Sequence, residues 1–404
     1  MKKLLILGGA QAQVQLISSA KEFGYYVVVC DWTNTNPGIA LADKHYQVST
    51  LDRDAVLKVA KEENVDGVIS NSEPAMPNVN YIANELGLIG NPVQSIETLM
   101  SKYKFRDLQD KLGLYSPKHY IVNTEADFKK RIQKLELPFI IKPSESSGSR
   151  GTTKVEKIDL DECLNSFNEC INFSMDDSCC VEEYVESSID YVIEGDIFIY
   201  KNKFFWNGLF FTYRSKELPM VPQTSSFPLK IEDDELDTVK DAIIKIFTDL
   251  NITFGEYNLE MYFNKSNKLF IIEINPRQGG NYLPISVERH CGINYNKLLV
   301  SLAAGDETYY QKVINSKSKS NYYTAHIVFN HKAGIYKELS VADEIKEYVV
   351  EIKELKNNGE QLEVAKNATD AVAYVFLDFG NYDTQKKYDI SLEDYIVPVM
   401  EENL

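Results

Sequence analysis

The chain has 404 residues, of which 44% are hydrophobic and 25% charged, and its formal net charge is −17. This length exceeds one ordinary core and predicts two or three globular domains. The acidic surface argues against a nucleic-acid partner, because it repels phosphate backbones, although a local group of Lys and Arg can still hold a small anion.

Residues 1–94 alternate apolar strands with helices. Strands are predicted at 4–7, 26–30 and 65–70, and helices at 18–23, 54–63 and 78–86. This β-α-β rhythm predicts a Rossmann-like parallel sheet covered by helices. The first apolar run stops at Gly8-Gly9, so a strand is a better interpretation than an export signal. Residues 8–13 lack the spaced glycines of a dinucleotide fingerprint, which argues against NAD. A plain turn and a contact with a substrate anion both stay open here.

Residues 95–315 are the second predicted domain. They open with a helical pattern over 95–113 and change rhythm after Pro117. Strands at 119–122, 139–142 and 179–183, with helices at 125–134 and 160–170, predict a small separate α+β lobe over residues 117–184. The rest of the domain is predicted as paired strands within 189–211, a loop at 212–227, a helix at 234–250, strands at 257–263 and 268–274, and helices to about residue 304.

Residues 316–404 are predicted to form a mostly β C-terminal subdomain with one acidic helix at 341–348. No stretch approaches the ~20 apolar residues of a membrane helix. The six cysteines form no C-x-x-C pair, so reduced, packed thiols are expected rather than a zinc site. These features favour a cytoplasmic enzyme.

The strongest chemical signal is a strand pair with oxygen-bearing side chains on one face. Alternation places Asn258 with Glu260 on the first strand, and Glu273 with Asn275 on the second. A hairpin symmetric about residues 266–267 would oppose Glu260 to Glu273, with Cβ atoms ~5 Å apart. Opposed carboxylates repel unless a cation lies between them, and hard oxygen ligands suit Mg²⁺. We therefore predict a magnesium site at Glu260, Glu273 and Asn275. Solvated acids on an exposed sheet are the alternative, and a one-residue slip would break the pairing.

Arg277 follows the second strand within the run 276–280, which ends in Gly279-Gly280. An arginine fork can hold the oxygens of a transferring phosphoryl group, and glycines permit close backbone approach. Arg277 is therefore a candidate catalytic residue, with an ordinary surface arginine as the alternative.

A second phosphate-binding signal is the apolar strand 139–142, which ends in Lys142 and enters the Ser/Gly-rich loop 144–151. The amides of such a loop can fold over phosphates while the lysine adds a positive charge. It is not a Walker loop, because no Gly-Lys-Ser/Thr closes it, and an ordinary hairpin turn is the alternative. Acids at the end of strand 181–185 could accept hydrogen bonds from an adenine amino group and a ribose, or lie at an exposed strand end.

Taken in chain order, these pieces resemble the ATP-grasp superfamily of carboxylate–amine ligases. The resemblance covers about residues 95–305 and implies an ATP-grasp fold preceded by the Rossmann-like domain, with residues 117–184 as a mobile lid. The motifs that carry it are Lys102, Lys142-Pro143, the Ser/Gly loop, Val181-Glu182-Glu183-Tyr184-Val185, Glu260, and Glu273-Ile274-Asn275-Pro276-Arg277.

The resemblance implies a role for each matching position. Lys102 and Lys142 would contact the ATP phosphates, and Lys142 and Arg277 would be catalytic. Glu260, Glu273 and Asn275 would bind one or two Mg²⁺, for which Mn²⁺ can substitute. The other implied cofactor-binding residues are Ser147, Gly148, Ser149 and Gly151 in the closing loop, Glu182, Glu183, Tyr184 and Val185 at the adenine, and Asp190 at the ribose.

The implied reaction phosphorylates a small-molecule carboxylate with ATP and joins the acyl group to an amine, releasing ADP and phosphate. Amino-acid ligases and phosphoribosylglycinamide synthetase are the similar enzymes; a carbamoyl-phosphate-synthase-like enzyme and a non-catalytic ATP-binding module are the alternatives. The single signature and the length exclude a two-module carbamoyl-phosphate synthase, and Gly279 after Gln278 argues against a biotin carboxylase.

The partners expected from this resemblance are a small carboxylate and an amine, with no nucleic acid and no membrane. A homodimer is a candidate assembly. Substrate recognition is assigned to the C-terminal region and the segment 279–290. Its candidate residues, whose roles stay open, are Tyr282, Glu288, Arg289 and His290, together with Arg214 and Lys216 in the predicted loop.

Overall fold

The protein is described by a computed structural model over residues 1–145, 151–218, 221–317 and 319–401. The first elements are β1 (Lys3–Leu7), α1 (Val14–Glu22), β2 (Tyr26–Asp31), β3 (Lys44–Gln47), α2 (Arg53–Glu63), β4 (Gly67–Ile69) and α3 (Met76–Glu85). The four strands form a parallel sheet in the order β3-β2-β1-β4. Leu4 and Ile6 enter one buried cluster and Leu5 and Leu7 another, so both faces of β1 are covered, as parallel sheets require.

The strand β3 was not predicted from the sequence. Its residues, Lys-His-Tyr-Gln, lack an apolar run, and none of them is fully buried. It lies at the edge of the sheet and pairs with β2 alone among the described strands. An edge strand buries little surface, so the hydrophobic pattern that reveals a central strand is absent.

Two helices come next, α4 (Val93–Met100) and α5 (Lys102–Lys111), and the small lobe follows them. The elements of the lobe are β5 (His119–Val122), α6 (Glu125–Ile132), β6 (Phe139–Pro143), β7 (Thr153–Val155), α7 (Leu160–Phe173) and β8 (Cys179–Glu183). The strands form an antiparallel sheet in the order β5-β8-β6-β7. Phe128 of α6 stacks on Phe167 of α7, with 4.7 Å between ring centroids. The run predicted over 95–113 is divided into two helices at Ser101, whose backbone is extended.

An eight-stranded antiparallel sheet dominates the rest of the chain, in the order β13-β12-β9-β10-β11-β14-β18-β16. Its elements in residues 192–314, with the helices between them, are β9 (Val192–Tyr200), β10 (Lys203–Arg214), β11 (Pro222–Ser226), α8 (Asp233–Asp249), β12 (Phe254–Phe263), β13 (Leu269–Asn275), α9 (Leu283–Cys291), α10 (Tyr295–Ala303) and α11 (Thr308–Ile314).

The C-terminal strands extend this same sheet and add a second one. The elements are β14 (Tyr323–Val328), β15 (Gly334–Val341), α12 (Asp343–Lys346), β16 (Val349–Glu354), β17 (Gln361–Leu362), β18 (Ala373–Asp378), α13 (Tyr382–Tyr388), α14 (Leu392–Tyr395) and β19 (Ile396–Glu401). The strands β17-β15-β19 form the second, three-stranded sheet. The predicted acidic helix is shorter than expected, because β15 continues through Val341, and α13 and α14 were not predicted.

Close backbone contact joins the N-terminal sheet to the rest of the molecule. A Cβ atom at Gly67 of β4 would lie 2.3 Å from the carbonyl oxygen of Ala303 in α10, so glycine permits this approach. All six cysteines are buried free thiols, which confirms the expected packing. Among the described helices, none has the length and apolar content needed to cross a bilayer.

Candidate active site

The β12–β13 hairpin brings the predicted metal ligands together. Glu260 pairs with Glu273, and Asn258 pairs with Asn275, so the register predicted from the sequence is confirmed at these positions. All four side chains lie on one face of the sheet, because each strand alternates its faces with a period of two.

A β-bulge, and not a symmetric turn, sets this pairing. Nearer the turn, Met261 pairs with Ile271, one position away from the symmetric register that the sequence suggested. Ile272 is the extra residue, and beyond it Glu260 and Glu273 become partners. A bulge shifts the register by one residue and re-aims the side chains that follow it. The expected symmetric turn is therefore wrong, although the opposed carboxylates are correct.

A third carboxylate, Glu194 of β9, lies beside Glu260 on the side away from Glu273. Glu194, Glu260 and Glu273 thus form a row across three neighbouring strands, which we call the acidic row. Glu194 was not predicted as a site residue from the sequence. Strand alternation along β9 would have assigned Glu194 to a face, but only the sheet order places β9 next to β12.

The three carboxylates differ in their electrostatic environments. Burial raises the pKa of Glu260 to about 8, and the charges of Glu194 and Glu273 add to this effect. Burial also raises the pKa of Glu194. At Glu273 burial acts in the same direction, but the charge of Lys102 and a 2.8 Å hydrogen bond from Asn275 outweigh it, so the pKa lies below its usual value. The row therefore favours fewer than three negative charges until a cation joins it.

Two side chains of β10 flank the acidic row. Thr212 donates a 2.6 Å hydrogen bond to Glu194, and Arg214 Nη2 lies 3.6 Å from Glu260 Oε2. The predicted loop at 212–227 is wrong at Arg214, because β10 continues through this residue. Arg214 therefore brings a positive charge to the row from a strand. Lys216 pairs instead with Glu393, at 2.8 Å.

Arg277 links the acidic row to the N-terminal sheet. Its Nη2 and Nε atoms donate to Glu73 Oε2, at 2.8 and 3.2 Å. Glu73 follows β4 and lies beyond the carboxyl end of the parallel sheet, where open α/β sheets bind their ligands. Glu73 was not predicted as a site residue from the sequence. Because Arg277 donates to Glu73, the acidic row lies next to this crevice.

Asp196 holds the glycine run that follows Arg277. This carboxylate is fully buried and accepts hydrogen bonds from the Gly279 amide at 2.8 Å and from Asn258 Nδ2 at 3.0 Å. A Cβ atom at Gly279 would lie 2.4 Å from Leu283 Cδ2 and 2.8 Å from Asn258 Nδ2. Only glycine fits this position without displacing the loop.

Lys142 and Glu182 belong to a buried ion cluster in the small lobe. Lys142 Nζ lies 2.5 Å from Glu182 Oε1, and Arg106 Nε lies 2.9 Å from Glu182 Oε2. Burial alone would raise the pKa of Glu182, but Arg106 and Lys142 outweigh it and lower the pKa to about 2. Both oxygens of Glu182 are thus engaged, so the adenine contact expected of this side chain competes with the cluster.

Two further predicted nucleotide-binding residues, Lys102 and Gly151, lie on either side of the loop that follows β6 in the chain. Lys102 begins α5 and its amide donates to the Ser144 carbonyl at 2.9 Å. Gly151 has φ = 70°, in the left-handed region that glycine favours. Ser147, Gly148 and Ser149 lie outside the described residues.

At the end of β8, Glu183 is half-buried, and Lys154 Nζ lies 4.3 Å from the ring centroid of the exposed Tyr184. The carbonyl of Val185 accepts a 2.6 Å hydrogen bond from Tyr262. Asp190, the predicted ribose contact, is exposed in a bend beyond these residues.

The candidates for substrate recognition within the segment 279–290 lie at the start of α9 or on it. Arg289 donates to the hydroxyl of Tyr323 at 2.7 Å and to the carboxylate of Glu351. His290 is buried, and a 2.6 Å hydrogen bond joins its Nδ1 to the Asn321 carbonyl. Tyr282 precedes α9 with φ = 59° and lies under Lys353, 4.1 Å from its Nζ atom. Arg289 and Lys353 therefore share the carboxylate of Glu351 beside Tyr282, whereas His290 lies in the core.

The oxygen donors of the acidic row suit a hard cation such as Mg²⁺, and their mutual repulsion favours its binding. In the part of the chain that the structure describes, no group of three or more His, Cys, Asp and Glu side chains could hold a metal ion by itself. A cation here would draw further oxygens from Asn275, from nucleotide phosphates and from water, which is how Mg²⁺ is commonly held.

Two family models match the chain. Residues 110–304 match the model described as D-ala D-ala ligase C-terminus, and residues 4–91 match the PylC-like N-terminal domain. Together they include the acidic row, Arg277, Lys142 and the Glu73 crevice.

The curated relatives include formate-dependent phosphoribosylglycinamide formyltransferases. That of Bacteroides thetaiotaomicron is 27% identical over 161 residues, which are 39% of this chain and 42% of that protein. That of Prochlorococcus marinus subsp. pastoris is 23% identical over 279 residues, 68% of this chain and 70% of that protein.

Solved structures match over nearly the whole chain. The phosphoribosylglycinamide synthetase of Anaerococcus prevotii aligns with a TM-score of 0.72 at 25% identity, covering 99% of this chain and 100% of that one. The L-amino acid ligase of Bacillus licheniformis aligns with a TM-score of 0.78 at 17% identity, covering 100% and 99%. The second likeness speaks for the fold alone.

Proposed function

Because the chain belongs to the ATP-grasp superfamily of carboxylate–amine ligases, we propose that it is an ATP- and Mg²⁺-dependent enzyme that joins a small-molecule carboxylate to an amine. The observation that carries the proposal is the acidic row, flanked by Arg214 and open toward Arg277 at the crevice of the N-terminal sheet. Carboxylates and guanidinium groups at one crevice suit phosphoryl transfer between two anions.

The nucleotide lies between the small lobe and the large sheet in this proposal. Lys102 and Lys142 contact its phosphates, and Gly151 belongs to the loop that closes over them. The end of β8, at Glu183 and Val185, contacts the adenine through the backbone. Tyr184 and Glu182 line this region, and Asp190 meets the ribose.

In this proposal, one or two Mg²⁺ would be held by Glu260, Glu273 and Asn275. Glu194, on the neighbouring strand, would add a further negative charge that attracts the cation. Bound Mg²⁺ would neutralise phosphate charge and so favour attack by an anionic nucleophile. Mn²⁺, which accepts the same oxygen ligands, is expected to substitute.

The chemistry has two steps. A carboxylate oxygen of the substrate bonds to the γ-phosphorus while the bond to the β–γ bridging oxygen breaks, so that ADP leaves with that electron pair. Arg277 holds the oxygens of the transferring group and steadies the acyl-phosphate. The amine nitrogen then attacks the acyl carbon and loses a proton to solvent, and phosphate departs with the electrons of the C–O bond.

Three functional units follow from this arrangement. Residues 1–94 supply the substrate crevice, residues 95–315 the ATP-grasp unit, and residues 316–404 complete the substrate side. Residues 117–184 act as a lid, because an acyl-phosphate survives only when water is kept away from it. The enzyme works in the cytoplasm, as a homodimer; light scattering of the purified chain tests that assembly.

The test is ADP release from purified protein with Mg·ATP and a panel of amino acids, other carboxylates, simple amines and phosphoribosylamine. Products are identified by mass spectrometry. We expect ADP to form only when a carboxylate and an amine are both present, with the condensation product in equal amount. Binding of ATP with Mg²⁺ but no stimulated ADP release across the panel would refute the ligase and favour a non-catalytic binding module.

A further inference from the structure

Arg106 lies at the junction between the small lobe and the acidic row, and its side chain is fully buried. On the side of the small lobe, its Nε and Nη2 atoms face the two oxygens of Glu182, at 2.9 and 3.4 Å. Its Nη1 atom donates to Gln109 Oε1, one turn along α5, at 2.7 Å. The guanidinium is therefore held in a single orientation.

The same guanidinium reaches the β-bulge of β13. Nη1 donates to the carbonyl of Ile271 and Nη2 to that of Ile272, both at 3.0 Å. Gln109 Nε2 adds a third hydrogen bond, 3.2 Å from the Ile271 carbonyl. Ile272 is the extra residue of the bulge, and Glu273 follows it directly.

Two features leave carbonyls of β13 in need of donors: the strand lies at the edge of the eight-stranded sheet, and it contains the bulge. The extra residue interrupts the ladder of hydrogen bonds, so its backbone groups must find other partners or pay the cost of an unmet hydrogen bond. A planar guanidinium presents several donors in a fixed fork, which a lysine ammonium does not. Without the bulge, a one-residue shift would turn Glu273 away from Glu260 to the opposite face of the sheet.

We propose that Arg106 is a positioning residue that holds the bulge at Ile272 and thereby keeps Glu273 in the acidic row. Because it also binds Glu182, beside Lys142, Arg106 ties the orientation of Glu273 to the small lobe. The consequence for cation binding rests on the proposed function, whereas the hold on the bulge does not.

The variants Arg106→Met, Arg106→Lys and Phe105→Leu separate these effects. Arg106→Met leaves the Lys142–Glu182 ion pair in place and removes the donors to the bulge. Arg106→Lys keeps the charge without the fork. Phe105 is a buried neighbour on α5 whose ring centroid lies 5.9 Å from the guanidinium carbon of Arg106, and it donates no hydrogen bond to the bulge, so Phe105→Leu controls for lost packing around the guanidinium.

Amide hydrogen exchange of the segment 269–275 is the first measurement, made on the full chain without ligands. We expect exchange in this segment to be at least about tenfold faster in Arg106→Met and Arg106→Lys than in Phe105→Leu, since the local opening is no longer opposed. Equal exchange in Arg106→Met and Phe105→Leu, or wild-type exchange in Arg106→Lys, would overturn the proposal.

The second measurement is the affinity for Mn²⁺ in the presence of ADP, determined by titration calorimetry. Groups that orient a metal ligand typically contribute about 10–100-fold to affinity, and we expect a loss of this size for both Arg106 variants, which no longer hold the backbone before Glu273, but not for Phe105→Leu. Unchanged Mn²⁺ affinity in Arg106→Met would overturn the link to Glu273. If the wild type binds no Mn²⁺ while the exchange result holds, the proposed function fails and the role of Arg106 at the bulge stands.

Discussion

Replacing Glu260 by glutamine should stabilise the ligand-free protein, by an amount that depends on pH. Burial, with the charges of Glu194 and Glu273, raises the pKa of Glu260 from 4.5 to about 8. The folded chain therefore retains a proton that the unfolded chain has lost. Stability falls as the pH rises from about 4.5 to about 8 and levels off above that. A glutamine has no such proton to retain, so its advantage should grow over the same interval.

The size of the gain follows from the pKa shift. One pKa unit corresponds to about 1.4 kcal/mol, so the shift sets a ceiling of about 5 kcal/mol. The side chain of Glu260 is 25% exposed, and solvent screening reduces the effect to about 1–3 kcal/mol at pH 8. One kcal/mol moves the Tm of a domain of 150–250 residues by about 2–4 °C. We therefore expect Glu260→Gln to melt several degrees higher at pH 8 and within a degree of the wild type at pH 4.5.

Thermal unfolding of both proteins in EDTA, between pH 4.5 and 8.5, tests this expectation. Glu169→Gln is the matched control, because Glu169 is exposed on α7 and its substitution should shift no Tm at any pH. With Mn²⁺ and ADP present the order should reverse, since ligands that bind the folded wild type stabilise it by mass action. If Glu260→Gln gives no gain in Tm, or a gain that does not change with pH, the raised pKa assigned to Glu260 is refuted.

The remaining predictions concern the neighbours of Glu260. Glu273→Gln should lower ADP release at least about 100-fold without raising the Tm, because the pKa of Glu273 is already held low by its surroundings; a coupled ADP assay and calorimetry check both parts. Arg277→Gln should reduce kcat by about 100–1,000-fold, whereas Glu73→Gln, which removes only its partner, should change kcat less than tenfold; similar losses would show that Glu73 itself contacts the substrate. Gly279→Ala should cost more than about 1 kcal/mol of stability in thermal unfolding, whereas Gly280→Ala, with no atom within 4 Å of its new Cβ, should stay within about 0.5 kcal/mol.

Local pattern was enough to predict much of the site. The alternation in residues 258–263 and 270–275 assigns each side chain to a face, since strand geometry repeats every two residues. The order of motifs from Lys102 to Arg277 was enough to indicate the superfamily. Both signals are contained in short stretches of chain, so they can be read without knowing what lies beside them.

Contacts between distant segments decided the rest. Glu194 joins the acidic row only because β9 lies next to β12, and Glu73 meets Arg277 across 204 positions of sequence. The sequence alone made Glu260 and Glu273 equivalent, whereas their surroundings move their pKa values in opposite directions.

The opposition of these two carboxylates shows where the limit lies. The sequence predicted the pair from a symmetric turn. In the structure the two carboxylates are opposed because of a bulge at Ile272, whose carbonyl accepts a hydrogen bond from Arg106 of α5. The register of two paired strands depends on all the contacts that the strands make. A buried donor from a distant part of the chain can stabilise a bulge and so shift that register by one residue. The residue spacing within one hairpin cannot reveal that donor, because the donor belongs to a distant segment of the chain.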